Sequence, residues 1–150
     1  MECLDSALQQ RLERVTRPLV AAYGGGVTLH VLASDHACAY AWPGGDVFVT
    51  RRLTEILDDD NELAAAVAHE LGHLMSDPSK PSAAAATLAP AADDDEERQA
   101  DASGAELLER AALPAAAITR MLETVAHRGG LAPAERRAVA ERAAARRGVR

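Results

Sequence analysis

Apolar side chains recur at three- and four-residue steps at Leu4, Leu8, Leu12, Val15 and Leu19. That spacing predicts one apolar stripe on a helix from about Asp5 to Ala22. Pro18 falls inside the span and predicts a kink or an early end, and Gly24-Gly25-Gly26 ends the helix at the latest. Val27 to Ala33 alternates through its first half as a strand does, with His30 on its polar face as a satisfied or solvated histidine. Ala37 to Trp42 reads as extended, Pro43-Gly44-Gly45 as a turn, and Asp46 to Thr50 as the second arm of a hairpin.

Thr50 is placed to cap a short helix through about Leu57, and Asp58-Asp59-Asp60-Asn61 breaks it and caps the next. Leu63, Val67, Leu71 and Leu74 then keep helical spacing, predicting a helix from about Asn61 to Ser76 that Asp77-Pro78 stops. Ser82 to Ala92 is alanine-rich low complexity, read as a loop or a loosely held helix. Further helices are expected from Asp94 to about Ala112, from Leu113-Pro114 to about His127, and from Pro133 onward, where the chain turns basic.

The chain has 150 residues, the length of one domain. The expectation is a single unit over residues 1–150, with its core in 27–125 and a basic C-terminal helix in 133–150. Its apolar fraction is dominated by alanine, which favours helix. The formal net charge of -7 disfavours nucleic acid as a general partner. Cys3 and Cys38 are the only cysteines, too few for a disulfide framework. With no basic start leading into an apolar run, and no segment long enough to span a bilayer, the expectation is a soluble, cytoplasmic protein.

The chemistry concentrates in His69-Glu70-Leu71-Gly72-His73. Histidines four apart on a helix share a face, so both imidazoles reach one Zn²⁺, and the glutamate beside the first reaches the water that does the hydrolysis. Gly72 is a poor helix former, costing about 1 kcal/mol against alanine, which suggests that something packs closely there. A catalytic zinc needs a third protein ligand. Glu97 is the candidate, with Glu96 as its rival, and Asp101 one turn later suits the free ring N–H of a ligating histidine.

Three segments in order resemble the zinc peptidases related to HtpX and the CAAX prenyl endoprotease. Ala39-Tyr40-Ala41-Trp42-Pro43-Gly44-Gly45 is similar to the family's N-A-x-A-x-P-G-G. Asn61 to His73 matches its active helix, and Glu97-Arg98-Gln99-Ala100-Asp101 matches its E-x-x-A-D. The resemblance covers about residues 27 to 125 and implies an α+β, zincin-like, mostly helical fold, with a small mixed sheet packed on the active helix. It implies a gluzincin with one Zn²⁺ per chain on His69, His73 and Glu97, Glu70 as catalytic base and Asp101 behind the ligands. Ala39, Tyr40, Ala41 and Trp42 become the edge strand along which an extended peptide or unfolded protein substrate pairs.

The sequence departs from the family's pattern in four places. Cys38 stands where the family usually has Asn, and Ala132-Pro133 stands for a late His-Pro. Only 23 residues separate His73 from Glu97, and the transmembrane helices of many members are missing. His127 and Arg136 are the candidates for the transition-state donor that the late His-Pro and the arginine after it supply, with Arg137 beside them. Two other readings accompany the endopeptidase: a non-catalytic metal-binding regulatory module, and a latent enzyme whose Arg-rich tail folds over the acidic site.

Overall fold

A computed structural model describes residues 6–78 and 94–148. The alanine-rich segment expected to be a loop or helix lies outside the described residues. The element order is α1 (Ser6–Tyr23), β1 (Thr28–Leu32), β2 (Ala39–Trp42), β3 (Asp46–Thr50), α2 (Arg51–Ile56), α3 (Asp60–Ser76), α4 (Asp94–Arg110), α5 (Ala117–Arg128) and α6 (Pro133–Arg147). The fold is α+β and zincin-like: mostly helical, with a three-stranded mixed sheet on the long helix that carries the two histidines.

α1 does not end early at Pro18 but runs on to Tyr23. Pro18 is on the exposed face, so its missing N–H is lost on the solvent side, while Leu12, Thr16 and Leu19 stay buried on the other. The glycines after Tyr23 take positive φ, and the Gly24 and Gly25 amides return to the Val20 carbonyl to close the helix.

The sheet order is β1-β3-β2. β2 and β3 form the expected antiparallel hairpin, with Tyr40 opposite Phe48. β1 joins β3 in parallel, with His30 beside Phe48. Gln9 of α1 finishes the outer side of β1: its amide donates to the Leu29 carbonyl and accepts from the Val31 N–H. Thr50 caps α2 by accepting from the Leu53 N–H, and its hydroxyl also receives the Cys38 N–H. The Cys38 position therefore stays pinned to β3 without the family's asparagine.

α3 occupies the centre, against α1, α4, α5, β2 and β3. Every residue from Leu63 to Leu74 is buried. A helix apolar on one face only would show a polar stripe, whereas α3 is surrounded, so its polar residues are committed to the interior. Asp59 caps it, accepting from the Asn61 and Glu62 amides. Arg11 of α1 donates to the Thr54 and Leu57 carbonyls and to Asp60, tying α1 to the α2–α3 connection.

Candidate metal centre

α3 and α4 approach more closely than ordinary side chains allow. A Cβ built on Gly72 would lie 2.6 Å from the Ala100 carbonyl oxygen, and one on Gly104 would lie 3.0 Å from the Ala68 carbonyl. Each glycine thus accepts the backbone of the other helix; the Gly72 reading anticipated close packing at one of them. Gly104 carried the same signal, a glycine inside a helix with a conformational cost, and went unread.

That approach sets the acidic residues of α4 against the histidines of α3. His69, Glu70, Glu97 and Asp101 are fully buried and His73 nearly so. One Glu97 oxygen, Oε2, lies 2.9 Å from His69 Nε2 and 3.2 Å from His73 Nε2. Glu70 Oε2 is 3.9 Å from His69 Nε2. On the far side of its ring, His69 Nδ1 is 2.9 Å from Asp101 Oδ1. With Nδ1–H donating to the Asp101 carboxylate, a neutral ring keeps Nε2 as its lone-pair nitrogen. Glu96, the rival ligand, is only half-buried and is not part of this cluster.

Behind Asp101 lies a residue the sequence reading did not single out. Arg142 of α6 is fully buried and donates to Asp101 through Nε at 2.9 Å and Nη2 at 2.8 Å. Its Nη2 is also 3.7 Å from Glu97 Oε2. A signal existed: Val139, Arg142 and Ala143 share helical spacing and are the three buried residues of α6. The basic tail forms α6. It packs on α5 and supplies an interior cation. His127 and Arg136 are both exposed. They line a cleft of about 600 Å³ between α5 and α6, whose walls include none of His69, Glu70, His73 and Glu97.

The electrostatics of the cluster favour a cation. Burial would lower the His69 pKa, but the Asp101 and Glu97 carboxylates outweigh it and raise it to about 10. Burial would raise the Glu97 pKa, but the two histidines hold it well below the usual carboxylate range. Burial opposes ionisation of Asp101 too, and Arg142 and His69 bring its pKa down. In the metal-free protein the proton on His69 offsets the carboxylates that face it, and a divalent ion held by the same ring nitrogen would take over that role.

Two further observations test the fit of such an ion. His69 Nε2 and Glu97 Oε1 are buried without a hydrogen bond, a costly state unless something else binds them. His69, Glu70 and His73 each offer a donor atom within 4.8 Å of the others. The Glu97 oxygen fits better as third donor, because ligands around a tetrahedral zinc are about 3.3 Å apart, given bonds of about 2.0–2.2 Å. Its separations from the two nitrogens approach that spacing, and that of Glu70 from His69 exceeds it. Among the described residues no helix is long and apolar enough to cross a membrane.

The family model described as Peptidase family M48 matches residues 4–145. No curated protein matches the chain.

Proposed function

The chain belongs to peptidase family M48, a family of zinc metalloproteases, and from that premise we propose that it is a zinc-dependent endopeptidase acting on extended peptide or unfolded protein substrates. His69, His73 and Glu97 would hold the metal, the converging atoms being the two Nε2 nitrogens and Glu97 Oε2. Bound there, zinc would supply Lewis-acid chemistry for a water and for the scissile carbonyl. Glu70, one residue from a ligand on the same helix, takes the proton from the attacking water and passes it to the leaving amine. Asp101 keeps His69 in the tautomer that leaves Nε2 for the metal, and Arg142 keeps Asp101 in place. The substrate pairs along β2, the last strand on its side of the sheet among the described residues.

The observation that carries this reading is the convergence of Glu97 Oε2 on the two Nε2 atoms at 2.9 and 3.2 Å, from a helix remote in sequence. The test separates binding from chemistry. Glu70→Gln should retain one zinc per chain by metal analysis and lose at least about 10²-fold in peptide hydrolysis, the lower range for a general base. Turnover at the parent rate would remove Glu70 from the mechanism. Parent protein that binds no zinc would remove the metal.

A further inference from the structure

Residues 117–148 reverse the sign of the chain. They hold seven Arg against three Glu, in a protein whose formal net charge is -7. One of the seven, Arg142, faces the interior, and the others leave a basic surface on α5 and α6. That surface is concave. On α6, Arg136, Ala140, Ala143 and Arg147 follow at four-, three- and four-residue steps, so they share one face. All four line the cleft of about 600 Å³, with Ala126 and His127 of α5 opposite. Two alanines between two arginines make a trough with a methyl floor and a guanidinium at each end. Glu123 is the one acid on its walls, and it pairs with Arg147 at 3.4 Å. Both partners are about half exposed, so the pair is weak and a competing carboxylate displaces it. Among the described residues no acid pairs with Arg136, or with Arg137 beside it on the cleft wall. Beyond Arg147 the positive sign persists: a neighbouring cleft is lined by Arg120 and Arg146 as well as Arg147, against the single acid Glu109.

We propose that the α5–α6 cleft is an exosite, which holds an acidic segment of the polypeptide substrate away from the metal centre. The inference rests on the reading of the chain as an endopeptidase. Charge selects the occupant. Guanidinium forks take carboxylates through paired hydrogen bonds, while the acidic remainder of the protein repels the same segment. Length follows from α6. Arg147 is eleven residues beyond Arg136, a rise of about 16 Å, which an extended chain of about five residues spans. The segment is thus about five residues long, with carboxylates toward both ends. Arg142 leaves α6 on another side to reach Asp101, so the cleft and the metal centre flank one helix, roughly 10 Å thick. A polypeptide held in the cleft therefore stays at high effective concentration beside the metal centre. Binding of this kind strengthens ground and transition states alike, so it lowers KM and leaves kcat alone.

Binding is measured apart from turnover, on Glu70→Gln protein. Rhodamine-labelled Gly-Glu-Glu-Glu-Glu-Glu-Gly is titrated with it and followed by anisotropy, beside the same peptide with Gln for every Glu. The Glu peptide should bind and the Gln peptide should not. Raising salt to about 1 M should abolish binding, because the screening length contracts to about 3 Å. Arg136→Gln/Arg147→Gln, at two exposed positions, should weaken binding by roughly two- to thirty-fold, the product of two surface ion pairs. In the parent enzyme, a cleaved library peptide extended by the Glu run should show a KM lower by a similar factor at the same kcat, and the double variant should lose that ratio. Equal binding of both peptides, or binding that the double variant leaves intact, overturns the exosite. Cleavage without binding overturns the exosite and leaves the endopeptidase standing. Binding without cleavage of any peptide leaves the acidic-segment site standing and overturns the endopeptidase. A single-stranded oligonucleotide that displaces the labelled peptide at lower concentration than the unlabelled Glu peptide assigns the cleft to nucleic acid and overturns the inference. A dimer in sedimentation that the double variant dissolves assigns it to a second copy and does the same.

Discussion

Replacing Gly72 by alanine sets two effects of similar size against each other. The new methyl favours the helix by about 1 kcal/mol, since glycine is a poor interior residue. It also lands 2.6 Å from the Ala100 carbonyl oxygen, where ordinary contact begins at 3.4 Å. Relief requires α4 to retreat by about 0.8 Å, the difference between those two distances. Overpacking of this kind costs about 1–3 kcal/mol, so the net loss of stability is about 0–2 kcal/mol and the melting temperature falls by at most about 8 °C. The site is less tolerant than the fold. Glu97 and Asp101 ride on the helix that moves, and the same retreat would carry Glu97 Oε2 from 2.9 and 3.2 Å toward 4 Å from the two nitrogens. Zinc affinity should fall about 10–100-fold, the range for a displaced metal environment. Competition against a chromophoric chelator measures the affinity, and calorimetry of the metal-free protein measures the stability. Gly104→Ala, whose Cβ would meet the Ala68 backbone at 3.0 Å, should do the same to a lesser degree. A Gly72→Ala protein with parent zinc affinity would refute the claim that the α3–α4 spacing sets the site.

Other perturbations address other parts of the same assembly. Arg142→Leu leaves Asp101 buried without its guanidinium and should cost about 3–5 kcal/mol, lowering the melting temperature by about 6–20 °C; a calorimetric shift under about 2 °C would contradict the buried pair. Deleting residues 133–150 removes Arg142 with its neighbours Val139 and Ala143, so zinc-dependent cleavage of a peptide library should be lost; a gain in activity would instead restore the inhibitory-tail reading. In chelator-treated protein the His69 pKa of about 10 lies above its unfolded value of about 6.5. The stability it contributes is then complete below pH 6.5 and lost as pH rises toward 10, so the metal-free melting temperature should fall across that interval; a rise there would contradict the assignment.

How much of this was legible in the sequence depended on whether the information was local. The pairing of His69 with His73 is a matter of helical pitch, readable from five residues. So were the Thr50 and Asp59 caps and the β2–β3 hairpin, where short-range chemistry dictates the geometry. The parallel docking of β1 on β3 was not legible, because it depends on which surface α1 and α3 leave to cover. Pro18 misled for the complementary reason: its local rule holds, but the tertiary burial of Leu19 keeps the helix going past it. Arg142 was obscured by the other arginines of α6, and only helical phase separates the one that enters the core.

The glycines show how a remote distance can be written locally. Glu97, with 23 residues between it and His73, reaches the histidines because two helices touch backbone to backbone, and side chains at their crossing would forbid that. A glycine inside a well-formed helix is a local defect with a stability cost, and a sequence retains two such defects only if something else requires them. Gly72 and Gly104 face each other's helices across the crossing, four residues or fewer from His69, His73 and Asp101. The requirement is thus an interhelical spacing, and the proposed metal-binding triad is a feature of this interface that would depend on spacing to a few tenths of an ångström. The motif names the two nitrogens, and the glycine pair, one on each side, brings a carboxylate from elsewhere in the chain close enough to complete them.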